Sequence, residues 1–328
     1  MKRVEFINRF SKGCFLFQSG AVQQLLAFTS LILLVVFFSI ASPNFLQFSN
    51  IVGILLSTAV IGILALGATF VIITGGIDLS VGTVMTLSSV MTAVMITTLG
   101  FPIIVGVLVG IVTGAICGLL CGLAIAKMNI PPFIATLAMM MIAKGMALVI
   151  SGASPIYFTN TPIFSNIALG TLIPGIPNGV VLFFAVAMIA ALILSKTVIG
   201  RFTFAIGSNE EATRLSGVNV KRWKIKIYTI AGLFTGLAGV IMASRLNSAQ
   251  PALGMGYELE AIAAVVIGGT SLSGGKGTIV GTVIGALIMS VLTNGLRILS
   301  VPQEWQTVVV GCVIILAVYA DNLRRKNT

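Results

Sequence analysis

The sequence predicts an all-α, polytopic membrane protein of about ten transmembrane helices with both termini cytoplasmic, and three observations lead there. Hydrophobic residues make up 57% of the 328 and charged residues only 8%. With a mean hydropathy of +1.12, such a chain cannot present a solvated surface around one core. Charge is also absent from Lys12 to Asp78, from Asp78 to Lys127 and from Lys144 to Lys196. Each gap holds two or more spans of about 20 residues across an apolar core of about 30 Å. Finally, the basic residues are distributed unevenly. Starting in the cytoplasm and alternating sides places Lys2, Arg3, Arg9, Lys12, Lys127, Lys196, Arg201, Arg214, Lys221, Arg222, Lys224, Lys226, Lys276, Arg324, Arg325 and Lys326 inside, and only Lys144, Arg245 and Arg297 elsewhere. Sixteen of nineteen on one side follows the positive-inside bias of membrane proteins.

Breaks at proline, glycine and charge divide the chain into spans near 21–41, 51–73, 79–99, 103–126, 132–150, 178–195, 226–246, 258–273, 278–298 and 304–320. The first follows a basic leader, residues 1–20, and ends on Ser39-Ile40-Ala41, a passable cleavage site. Its apolar stretch exceeds the roughly 7–15 residues of a signal peptide, so it reads as an uncleaved span. The uncharged stretch 151–178, with Pro155, Pro162, Pro174 and Pro177, reads as an outer, turn-rich cap that a soluble partner can touch. The span from 258 is short and interrupted by glycine, which marks it as broken or re-entrant. The whole, 1–328, reads as a single transmembrane domain.

Gly106, Gly110, Gly114, Gly118 and Gly122 recur at every fourth position, as do Gly277, Gly281 and Gly285. That spacing makes a smooth face that lets backbones approach, so these spans belong inside the bundle or at a subunit interface. VIITGGIDLSVGTVMTL around Gly75 and VVIGGTSLSGGKGTIVGTVIGAL around Gly269 share an apolar run, a Gly-Gly break and a Gly-spaced helix, a faint likeness of the kind duplicated transporter halves carry. Cys117 and Cys121, four apart in an apolar helix, read as packing residues. No disulfide framework is expected, and no metal or other cofactor, since the chain has four cysteines and no histidine. The net charge of +11 reads as topology information rather than a nucleic-acid surface, for which no soluble domain is available.

Residues 196–226 are the one long polar stretch, with seven basic residues against Glu210 and Glu211. Ser208-Asn209-Glu210-Glu211 fits a capping box with Ser208 as the cap and Glu211 returning the bond. Both glutamates then lie in the first turn, Ala212 and Leu215 form a small apolar face, and Gly217 is the stop. A helix of about two turns is unstable alone in water and needs a groove of its own protein or of a partner.

GRFTFAIGSNEEATRLSGVNV (200–220) resembles the cytoplasmic loop of the ribose/xylose/arabinose/galactose permeases of bacterial ABC importers, and SRLNSAQPALGMGYELEAIAAVVIGGTSLSGGKGTIVGTVIGAL (244–287) is similar to the segment that follows it there. ITGGIDLSVG (73–82) and PPFIATLAMM (131–140) match the same class; the likeness runs from about residue 42 to 321 and is nearest to ribose permeases. It implies an inner-membrane, multi-pass permease subunit that translocates a monosaccharide such as D-ribose or D-allose. The implied partners are a cytoplasmic ATP-binding subunit, a periplasmic sugar-binding protein, and a second permease, the same or a sister. The coupling helix of that family corresponds to Ser208, Asn209, Glu210, Glu211, Ala212, Arg214, Leu215 and Gly217.

An enzymatic reading finds no support. GGTSLSGGKGT lacks phosphate-loop spacing, because Thr270 stands where glycine is needed and Gly277 follows Lys276. Glu258 and Glu260, two apart on a helix, point to nearly opposite sides. Asp78 and Glu258 lie near span ends flanked by glycine; a charge at the bilayer centre costs about 2.5–3.5 kcal/mol, so either a path role or a helix-end role is open for each. The translocation path is expected to draw on Asp78, Asn247, Ser248, Gln250, Glu258 and Asn294. Two other functions stay open: a gradient-driven secondary sugar transporter, and an importer permease for branched-chain amino acids.

Overall fold

The computed structural model describes residues 20–326; the basic leader with Lys2, Arg3, Arg9 and Lys12 lies outside the described residues. The chain is helical, in the order α1 (Gly20–Ala41), α2 (Phe48–Ile73), α3 (Val81–Thr98, its last turn a π-helix), α4 (Ile103–Lys127), α5 (Pro132–Ser151), α6 (Asn178–Lys196), α7 (Val198–Ser208), α8 (Glu210–Leu215), α9 (Val220–Leu246), α10 (Tyr257–Ile267), α11 (Ile279–Ile298) and α12 (Gln303–Lys326). Eight of these, α1 to α6, α9 and α11, are long and apolar enough to cross a membrane. Each of the ten expected spans falls on a helix. The stretch 258–273 is the shortest: α10 has 11 residues and stops at Ile267, before Gly268-Gly269.

α2 and α9 are buried along most of their length and form the centre with α3, while α1 is peripheral. A helix that is apolar all round belongs in such a position. α4 packs on α9 more extensively than any other described pair, and its glycines explain why. A methyl group on Gly114 would collide with the Gly232 carbonyl and lie 2.6 Å from the Gly236 nitrogen; one on Gly118 or Gly122 would run into the backbone at Tyr228 or Ile225. The opposite face of α4 exposes Ile104, Leu108, Val112 and Ile116, side chains suited to lipid. Cys117 and Cys121 are buried and unbridged beside the glycine face. Gly281 and Gly285 repeat the device, seating α11 on the backbone of Gly268 and Ala264 in and after α10.

Gly114→Leu is therefore expected to destabilise the fold by about 1–3 kcal/mol, the cost of overpacking. The thermal midpoint of the detergent-solubilised chain is the readout. Gly53→Ala is the control, because nothing lies within 4 Å of its added carbon, and it should leave the midpoint where it was.

The connections gather at two ends. At one, Gly275 N–H donates to Ile73 O (2.8 Å) and Thr136 Oγ1 to Ile77 O (3.2 Å), joining the 74–80 turn, the start of α5 and the 268–278 turn. Lys127, Lys196, Lys221 and Lys276 flank these connections, so this is the basic end. At the other end Ile156–Tyr157 (β1) pairs antiparallel with Ser248–Ala249 (β2). Above that ribbon the 151–178 segment is an ordered cap rather than an open loop. Phe158 and Phe164 are fully buried and stack at 4.1 Å, and Ser244 Oγ donates to Phe164 O (2.7 Å) while accepting from Ala168 N–H (2.9 Å).

Candidate coupling and translocation sites

The structure corrects the reading of the polar loop in two respects. Residues 198–208 form the helix α7, which the sequence reading did not separate from the loop. Because α7 runs through Ser208, that serine cannot also cap the next helix. Asn209 does so instead, its Oδ1 accepting from Ala212 N–H at 2.9 Å, a cap that contributes about 1 kcal/mol. Glu211 does not return a bond to the cap, so the capping box is absent. It accepts from Arg214 (2.6 Å), one turn along the same helix, and Glu210 accepts from Lys224 of α9 (2.7 Å).

The C-terminal end forms as expected. Gly217 is left-handed (φ +85°), its N–H donates to Arg214 O (3.1 Å), and Val218 N–H donates to Thr213 O (3.4 Å), the pair of bonds that closes a Schellman stop. Thr213 is buried against the chain's own bundle, whereas Ala212 and Leu215 are exposed, Leu215 at 78%. The two-turn segment thus has one face held by its own protein and one apolar face left exposed among the described residues.

Directly beneath lies a junction of glycines. Gly207, the penultimate residue of α7, sits so close to the end of α2 that a methyl group there would collide with Ile73 O and come within 2.6 Å of Gly275 N. Gly75, Gly274 and Gly275 are all left-handed, a conformation glycine adopts without steric cost. The two faintly similar segments of the sequence therefore meet each other here, and both meet the helix that leads into α8. α7, which leads into α8, thus packs directly on the end of α2 and on the 268–278 turn.

The expected path residues separate into four places. Asn247, Ser248 and Gln250 come together past the C-terminal end of α9, at the β1–β2 ribbon. Asn247 takes a left-handed conformation (φ +50°) that ends the helix, and Gln250 Nε2 donates to Ser248 Oγ (3.3 Å). Asn294 is elsewhere, its Nδ2 donating to Asn50 Oδ1 (3.0 Å) between α11 and α2. Asp78 is buried near the basic end and accepts from the N–H (2.8 Å) and hydroxyl (2.6 Å) of Ser80, a turn that delivers the chain into α3. Glu258 accepts from Gly256 N–H (3.1 Å) at the start of its own helix. Both carboxylates thus have local helix-end partners.

Between α9 and α10 the chain, residues 247–256, does not turn back at the surface but packs against α3, where Gly254 and Gly82 touch backbone to backbone. Irregular backbone at membrane depth is tolerated where it is buried in protein or lines a cavity. A small cavity of about 10 Å³, room for about one water, lies there, lined by Thr83, Thr86, Lys144, Pro251, Ala252, Gly254 and Met255.

Over residues 50–318 the sequence matches a known family described as branched-chain amino acid transport system / permease component. The chain belongs to that family. It is a multi-pass membrane permease rather than an enzyme. It is similar to the ribose import permease protein RbsC of Bacillus subtilis (strain 168), with 48% identity covering 92% of this chain and 94% of that one. The protein of the same name from Escherichia coli (strain K12) is 42% identical over 90% and 92% of the two chains. The L-arabinose transport system permease protein AraH of E. coli (strain K12) is 42% identical over 87% and 86%. No solved structure matches this permease.

Proposed function

We propose that this permease is the membrane subunit of an ATP-driven importer that carries D-ribose, or a close relative such as D-allose, across the bacterial inner membrane. A separate ATP-hydrolysing subunit seats on Ala212 and Leu215 of α8 at the cytoplasmic, basic end. A periplasmic sugar-binding protein delivers cargo at the capped end, and a second copy of the permease completes the membrane unit. Residues 1–328 act as one domain, with Ser208 to Gly217 transmitting the motor's movement and Asp78, Asn247, Ser248, Gln250, Glu258 and Asn294 bordering the path. The observation that carries this reading is 48% identity to a ribose import permease over more than nine-tenths of both chains. Supporting it, α8 offers an apolar face that no described residue of its own chain covers, as a docking helix must.

Purification with its ATPase subunit and binding protein, followed by reconstitution into liposomes, tests the proposal. Ribose uptake is expected to require ATP and to stop when the ATPase subunit is left out. Uptake sustained by an ion gradient without that subunit contradicts it. The family's own description names branched-chain amino acids, and that reading predicts leucine rather than ribose accumulation in the same vesicles.

A further inference from the structure

We propose that Arg222 and Lys226, with the rings of Trp223 and Phe202, form a binding site for the phosphate headgroup of an anionic phospholipid in the leaflet at the basic end of the bundle. The start of α9 reads Lys221-Arg222-Trp223-Lys224-Ile225-Lys226, four basic residues in six at the mouth of a span, a pattern that attracts anionic lipid. The structure divides them. Lys224 is half-buried and donates to Glu210 of α8 (2.7 Å). Successive helical residues are turned by about 100°, so Arg222 and Lys226, two positions before and after Lys224, point to the opposite side, away from α8. Both are exposed. Among the described residues neither has a carboxylate partner, since the ion pairs formed are Arg214 with Glu211 and Lys224 with Glu210.

That side of α9 is the one that meets lipid. Leu233 lies on the same stripe, seven residues beyond Lys226, and is 40% exposed. It stands about 10 Å further along the axis, in the apolar layer. α9 has 27 residues, about 40 Å of helix against an apolar core of about 30 Å, which leaves its first turns for the headgroup layer. Aromatic rings mark the boundary. Lys226 Nζ stands 4.2 Å from the centre of the Trp223 ring, and that ring packs at 4.7 Å on Phe202 of α7; both rings are partly exposed. Tryptophan settles at this depth because its ring is apolar at one end and wet at the other. α7 itself is amphipathic, burying Gly200, Thr203 and Ile206 while Arg201 is exposed, as an interfacial helix does. A phosphodiester offers only acceptors, and the guanidinium and ammonium offer only donors; the glycerol and first acyl carbons then rest on the two rings. An acidic protein surface would satisfy the two cations as well, but not the apolar stripe that continues from them into the membrane.

The test is quenching of Trp223 fluorescence in the full-length Trp305→Phe chain, which leaves one tryptophan. The chain is reconstituted into phosphatidylcholine vesicles with brominated phosphatidylglycerol or brominated phosphatidylcholine added at equal mole fraction. Each basic residue near an anionic surface contributes roughly fivefold in affinity. The brominated anionic lipid is therefore expected to bind at Trp223 at least fivefold better than the neutral one, and Arg222→Gln with Lys226→Gln should bring the two within twofold. Arg222→Lys with Lys226→Arg should keep the preference, which separates charge from damage to the fold. Equal quenching by both lipids in the chain with native Arg222 and Lys226, or a preference that the glutamine pair leaves unchanged, overturns the inference. Absence of quenching by either lipid also overturns it, because the rings are then covered by a second copy. In the complex, the glutamine pair should keep the ATPase subunit in full stoichiometry; loss of that subunit on purification overturns the inference by assigning the patch to the motor.

Discussion

Replacing Ala212 and Leu215 together with aspartate is expected to cut ATP-driven uptake by at least tenfold while the spans stay inserted. Both side chains are exposed in the isolated chain, and neither contributes to the cap at Asn209 or the stop at Gly217, so the helix itself should survive. What is lost is the apolar contact with the motor subunit. An interface anchor contributes about 2 kcal/mol or more, roughly thirtyfold in affinity, and burying an unpaired carboxylate in the partner's groove adds a further cost. Co-purification with the ATPase subunit is the direct readout. Retention of the subunit in full stoichiometry, with uptake intact, would remove α8 from the docking surface.

The second large effect is expected at Gly207. Gly207→Val places a branched side chain where Ile73 O and Gly275 N already stand, backbone atoms that cannot rotate away. The cost should exceed the roughly 3 kcal/mol at the upper end of ordinary overpacking, because either α7 or the end of α2 must move. Uptake should fall below a tenth of the unsubstituted rate, and the thermal midpoint of the purified chain should drop as well. Gly311→Ala on α12, with nothing within 4 Å, is the matched control. A Gly207→Val protein with unchanged midpoint and uptake would show that the glycine junction transmits nothing.

Much of the fold was legible because the membrane imposes simple rules. Pro131-Pro132 and Pro177 mark helix starts, Gly217 marks a stop, and uncharged runs fix the spans between them. The glycine face of α4 announced close packing, but nothing in its spacing named Gly232 and Gly236 of α9 as the partners, which only the folded bundle brings opposite. α7 was missed because it carries Gly200 and Gly207 within a basic, polar stretch. Both glycines are there for close approach, to Leu194 and to Ile73, rather than to end a helix. The same oversight displaced the cap. Ser208 and Asn209 are both competent caps, and the choice falls to Asn209 because α7 already uses the serine. Among the expected path residues, Asn247, Ser248 and Gln250 lie close in sequence and stay together, while the packing of residues 247–256 against α3 is a tertiary fact without a local pattern.

On the proposed function, α8 faces the cytoplasm and meets a separate motor there. Thr213 is buried in this chain, so the informative position is the exposed Leu215. With the four native cysteines replaced by alanine, Leu215→Cys should react with a membrane-impermeant maleimide in inverted vesicles from cells lacking the ATPase subunit. It should be protected when that subunit is present, and unreactive in intact spheroplasts. Labelling from the outside of spheroplasts would place α8 on the periplasmic side and rule out its docking on a cytoplasmic motor.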